Sequence, residues 1–211
     1  MKKLLYLLIA LMVFGCSSTR MVDSWKNDDY FNYKPKKILV VGITDNLTAR
    51  MIFEERLAKE LVDRNLNAVK SYDEFELTFI SSKQTKEDID KEVGKLLKSG
   101  FDTVLISAVK GVDEKTKYSG DRIARDNYWR RFGRYYFLYQ DVYFIEGYYD
   151  QYNVYHIEAS LYDLQTNKDK SLVWVASFDI VDPINISSTI DDYVEAIIKS
   201  LEKEGYFKSS K

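Results

Sequence analysis

The stretch Ile38-Leu39-Val40-Val41-Gly42-Ile43 decides how the rest of the chain is read. Six apolar residues run without a polar interruption, and four of them are β-branched. A strand with one face in water alternates apolar and polar residues. A continuous run of this length reads instead as a strand covered on both faces, the kind found in the interior of a parallel sheet.

Downstream, the period changes from two to about 3.6. Thr44 to Asn46 reads as a turn. From Thr48 a helix is expected, with Ile52, Phe53, Leu57, Ala58 and Leu61 on its apolar side and Asn65 as its stop. Asn67 to Tyr72 reads as a second, shorter strand. Thr85-Lys86-Glu87-Asp88 resembles a capping box. Behind it Ile89, Val93, Leu96 and Leu97 share one helical face, and Gly100 stands where that helix ends. Asp102 to Val109 is the third expected strand. The order β-α-β-α-β implies right-handed crossovers and parallel pairing in this half.

The second half reads differently. Tyr155, Ile157, Ala159 and Leu161 alternate with His156, Glu158, Ser160 and Tyr162. Leu172, Trp174, Ala176, Phe178 and Ile180 alternate on the next run, with Gln165 to Lys170 as the loop between. This is a β-hairpin. Ser188 to Asp191 is expected to cap a last helix with Ile190, Val194, Ile197, Ile198 and Leu201 on its apolar face, closed by Gly205. The expected fold is α/β with an α+β tendency: one mixed sheet with helices packed on it, forming a single domain over 38–207 and followed by a short tail, 208–211.

Between third strand and hairpin lies an insertion at about 119–153. Twelve of its twenty-five residues from Tyr128 to Tyr152 are aromatic. Arg122, Arg125, Arg130, Arg131 and Arg134 make its start basic, and Asp141, Glu146 and Asp150 make its end acidic. Connections of this length tend to be functional or disordered. Four roles fit the residue types: a second small core folded over the sheet, a protein-binding surface built on Tyr, Trp and Arg anchors, a surface for glycan or anionic lipid headgroups with arginines forking to phosphate, and stacking on nucleic acid. Arg130, Arg131, Arg134, Tyr135, Tyr136, Tyr139 and Tyr143 are the candidate partner-binding residues.

At the other end, Lys2 and Lys3 precede the uncharged run Leu4 to Phe14, and Gly15 and Cys16 follow at once. A positive start, a short apolar stretch and a small residue before a cut are the parts of a secretory signal, expected over 1–15. The run is about half of the ~20 residues that span a bilayer. Val13-Phe14-Gly15-Cys16 resembles the lipobox of bacterial lipoproteins, which implies acylation of Cys16 after cleavage before it. Stable anchoring takes more than one acyl chain, and a multiply acylated cysteine meets that condition. Residues 16–37 then read as lipidated amino terminus and tether, with Trp25 docking on the domain or sitting at the lipid interface. Ser17 after the cysteine resembles the pattern for outer-membrane sorting, so the expected place is the envelope, facing the periplasm.

Composition narrows the chemistry. The chain of 211 residues has a formal charge of −2, which becomes −4 once Lys2 and Lys3 are removed. A mildly acidic exported protein is a poor nucleic-acid partner. Cys16 is the only cysteine and His156 the only histidine. With Cys16 lipidated, disulfides, thiol nucleophiles and thiolate metal sites are excluded, and no metal site or cofactor is expected. Val41-Gly42-Ile43-Thr44 carries neither a dinucleotide fingerprint nor a P-loop. His156 reads as an exposed strand residue. No serine sits in a hydrolase setting. Carboxylate pairs such as Glu146 with Asp150 lack any spacing evidence for a glycosidase role. The charged stretch Lys83 to Lys98 reads as a solvated helix face. No catalytic residue is expected.

Three stretches carry a wider resemblance: Ser24-Trp25-Lys26 after the lipid cysteine, Lys36 to Gly42, and Leu172-Val173-Trp174. With the aromatic insertion and terminal helix, the chain resembles a family of small uncharacterised bacterial envelope lipoproteins, a domain of unknown function. The element order is also similar to the amino-terminal domain of TolB and to accessory lipoproteins of curli secretion and peptidoglycan synthesis. The resemblance implies a non-catalytic interaction module with an envelope protein partner. Binding of cell-wall glycan or anionic lipid through 122–152 is the alternative.

Overall fold

The computed structural model describes residues 19–80, 82–114, 132, 136, 153–166, 171–181, 183 and 185–207. Six strands form one mixed sheet: β1 (Thr19–Lys26), β2 (Lys37–Ile43), β3 (Asn67–Lys70), β4 (Thr103–Glu114), β5 (Asn153–Asp163) and β6 (Leu172–Val181). Their order is β1-β6-β5-β4-β2-β3. β2 runs parallel to β3 and β4, and the other neighbours are antiparallel. Among the described residues, five α-helices with complete bounds join or flank them: α1 (Leu47–Val62), α2 (Ser71–Glu74), α3 (Leu77–Ile80), α4 (Lys86–Lys98) and α5 (Ile186–Lys203).

The apolar run of β2 is explained by two cores. Ile38 and Val40 face Phe53, Leu57 and Leu61 of α1 and the apolar side of α5. Leu39, Val41 and Ile43 face Ile89 and Leu96 of α4, with Phe75 and Phe101. A strand buried on both sides has no position for a polar residue. α1 and α4 lie on opposite faces, as right-handed crossovers to opposite sides of β2 require.

Local signals act where they stand. Thr85 caps α4, accepting from the Asp88 amide at 3.1 Å. Asn46 caps α1 in the same way, from the Ala49 amide at 2.9 Å. After α1 the chain turns at Asn65 with φ 62°, a left-handed conformation that Asn tolerates better than most residues. One expected cap is corrected. α5 begins at Ile186, earlier than Ser188, because Asn185 accepts from the amides of Ser187 and Ser188.

A larger correction concerns the expected tether, 16–37. Thr19–Lys26 is not a free linker: it is the edge strand β1, paired antiparallel with β6 from Thr19↔Ile180 to Lys26↔Trp174. The next residues are fastened too. Asn27 donates its amide to the Val173 carbonyl at 2.9 Å. Tyr33 shares a 2.6 Å hydrogen bond with Thr103. The amides of Lys36 and Lys37 donate to the Asp102 carboxylate. The strand carries a register shift between Met21 and Asp23, which disguises its alternation in the sequence. The signal segment 1–15, Cys16 and the tail 208–211 lie outside the described residues.

Candidate functional site

In a sheet whose crossovers go to opposite faces, ligands bind outside the carboxyl ends of the strands where the order reverses. Here that point lies between β2 and β4, and a buried polar network occupies the end of β2. Glu54 of α1 is fully buried. Its Oε1 accepts from the Gly42 amide at 2.9 Å, from Arg50 Nε at 2.9 Å and from Ser71 Oγ at 2.6 Å. Its Oε2 accepts from the Tyr72 amide at 3.1 Å. Arg50 also donates to Ser71 Oγ at 2.8 Å. The carboxylate therefore ties α1, the end of β2 and the start of α2 together. Gly42 stands at a close approach: a Cβ there would meet Phe53 Cδ1 at 3.2 Å and Arg50 Cγ at 3.3 Å, so both side chains would have to shift by a few tenths of an ångström.

Tyr136, from the aromatic insertion, belongs to this end of the sheet. It is buried, with its hydroxyl beside Arg50, and burial is the main reason its acidity is weakened. Phe132 and Tyr136 are both helical and lie four residues apart in sequence, with ring centroids 6.2 Å apart. They pack against Phe79 and Tyr162. The expectation that Tyr136 offers itself to a partner is thus corrected: its ring completes the α4-side core. Arg130, Arg131, Arg134, Tyr135, Tyr139 and Tyr143 lie outside the described residues, as does Cys16. The segment leaves and re-joins the sheet at paired positions, Glu114↔Asn153.

Beside that exit, the α4-side face of β4, β5 and β6 carries a charged cluster. His156 Nδ1 lies 2.7 Å from Asp179 Oδ1, and its Nε2 lies 3.0 Å from Asp113 Oδ2. Directly across on the same strand face, Lys110 pairs with Glu158 at 2.7 Å. Burial opposes the charged imidazole, but the two carboxylates outweigh it and hold the pKa above its ordinary value of 6.5. As an imidazolium it donates from both ring nitrogens, which leaves no lone pair for a metal or for proton abstraction. The expected exposed strand histidine is half-exposed, and its role is a bridge across three strands. The spacing Asp113–His156–Asp179 has no signature in sequence, because a register shift between Val109 and Gly111 sets which residues meet.

No protein-family model matches the chain, and no curated protein matches it. Among solved structures, a PelC dodecamer from Paraburkholderia phytofirmans is similar at 13% identity, covering 87% of this chain and 97% of that one with a TM-score of 0.42. Lipoprotein GNA1162 from Neisseria meningitidis is similar at 18% identity, covering 80% and 99%, with a TM-score of 0.41. A DUF4136 family protein from Bacteroides thetaiotaomicron is similar at 8% identity, covering 88% and 97%, with a TM-score of 0.39. Likenesses at this level leave function to be read from this chain's own residues.

Proposed function

We propose that the chain is a lipid-anchored protein of the bacterial envelope, held by Cys16 on the periplasmic side of the outer membrane, that works by binding and not by turnover. The observation that carries the second half is the occupied switch point. Where an α/β sheet would open for a ligand, Glu54, Arg50, Ser71 and Gly42 satisfy one another. The only histidine has both nitrogens engaged by carboxylates. The anchor rests on the sequence from Lys2 to Cys16. Partner binding is assigned to the segment 122–152 with a protein partner, less Tyr136, which the core already uses.

The test has two parts. Cells fed labelled palmitate should yield a labelled, membrane-bound protein, and Cys16→Ala should abolish both label and sedimentation with membranes. A photo-crosslinking residue at Tyr139 or Tyr143 should give a discrete protein adduct that disappears when Arg130, Arg131 and Arg134 become Ala. Adducts to glycan or lipid alone would replace the protein partner with those ligands.

A further inference from the structure

Cys16 and the edge strand stand unusually close in sequence. From Cys16 to the first residue of β1, Thr19, there are three Cα steps. Even fully extended they span no more than about 10 Å. If Cys16 carries acyl chains buried in a bilayer, β1 begins at the headgroups.

β1 is also the edge of the sheet whose exposed side chains suit that place. Met21 is 39% exposed, Val22 57% and Trp25 46%. The register shows how they are arranged. Met21 pairs with Phe178 and Trp25 with Val175, three residues apart on β6, so their side chains emerge on opposite faces of the sheet. Val22 lies in the bulge between them and has no Cα partner on β6. Apolar groups thus project from both faces, with the exposed Val22 between them at the bulge. A groove-bound peptide or a packed helix would cover one face only. A plane running along the edge touches all three. Tryptophan is favoured at the boundary between headgroup and acyl chain, and Arg20 at the start of the strand suits an anionic headgroup layer, whereas Lys26 at its end is paired with Glu204 at 2.9 Å.

Resting on the lipoprotein reading above, we propose that strand β1 lies along the bilayer surface, with Met21, Val22 and Trp25 in the headgroup–acyl boundary, so that the sheet stands edge-on to the membrane. The anchor and the strand form one attachment, and the domain is held in a fixed orientation instead of swinging on a leash.

The test uses the lipidated full chain in liposomes of phosphatidylethanolamine and phosphatidylglycerol. The thiol of Cys16 is acylated, so Val22→Cys, Trp25→Cys and, as a control on exposed α4, Lys91→Cys each give one site for an environment-sensitive fluorophore. Labelled palmitate is read on the same samples. Probes at 22 and 25 should brighten about two-fold or more as the acyl boundary replaces water, and nitroxide-bearing lipids should quench them, while the probe at 91 stays unchanged. Palmitate-bearing protein in which 22 and 25 behave like 91 overturns the proposal and leaves the anchor intact. Brightening that lipid nitroxides do not quench assigns the edge to another chain and overturns it too. Brightening and quenching at 22 but not at 25 would stand the strand upright, against the proposal. Protein without palmitate removes the anchor and the proposal together.

Discussion

Replacing Glu54 with Gln should destabilise the fold out of proportion to the single atom changed. Glu54 is fully buried and Arg50 only 4% exposed. Removing one partner of a buried ion pair leaves the other charge uncompensated, which costs about 3–5 kcal/mol. One amide terminus must also point a donor at groups that donate to Glu54 now: Gly42 and Arg50 at one oxygen, or the Tyr72 amide at the other. An orphaned buried donor costs about 1–3 kcal/mol, but these costs overlap and do not sum. A total near 4 kcal/mol follows. Urea unfolding of the chain from residue 17, followed by tryptophan fluorescence to which the buried Trp174 contributes, should show the midpoint lowered by about 2 M, for a slope of about 2 kcal/mol/M. Arg50→Met with Glu54→Met removes both charges and should cost less than either single change. A Glu54→Gln loss under about 1 kcal/mol, or a double variant that costs as much as either single change or more, would refute the network as the clasp of this end of the sheet.

Four further outcomes follow from the same structure. His156, as the sole histidine, gives a single pair of ring C–H signals by NMR. It should titrate above 6.5, and Asp113→Asn or Asp179→Asn should each lower its midpoint. Because the folded pKa is raised, the bridge contributes stability in full below the unfolded value of 6.5 and loses it as pH rises through the folded value; a midpoint below 6.5 would contradict the bridge. Gly42→Ala should cost about 1–3 kcal/mol in chemical denaturation, since Phe53 and Arg50 must both give way. Asn185→Ala should cost about 1 kcal/mol through loss of the α5 cap, read as a lower thermal midpoint. Ser160→Ala should be neutral or stabilising by calorimetry, because its buried hydroxyl has no hydrogen-bond partner among the described residues.

The parts of the fold legible in sequence are those set by periodicity or by a local cap. The run 38–43 could be read because both faces of β2 meet helices. The stripes of α4 and α5 could be read because each helix buries one side against one core. β1 could not. It borrows its burial from a partner strand, leaves most side chains in water, and breaks its alternation at a bulge. The i to i+4 spacing of Arg50 and Glu54 is one that any solvent-facing helix pair can have, so it carries no signal of burial. Only the neighbours Gly42 and Ser71, distant in sequence, turn that pair into a buried clasp. Tyr136 was hidden in the opposite way: among so many aromatics, a single i to i+4 pair with Phe132 carries no signal of its own.

The pairing of the first strand with the last has a consequence in time. β1 is the earliest part of the domain to be synthesised, yet its strand neighbour among the described residues, β6, lies about 150 residues further along the chain. No native seat for β1 exists until β6 has been delivered. Closing so large a loop is among the slower steps available to a chain. Thr19–Lys26 therefore stays without its hydrogen-bonding ladder until nearly the whole domain has been made. Docking of β1 on β6 is thus the step that closes this edge of the sheet, and the topology places it after the rest of the domain has been made.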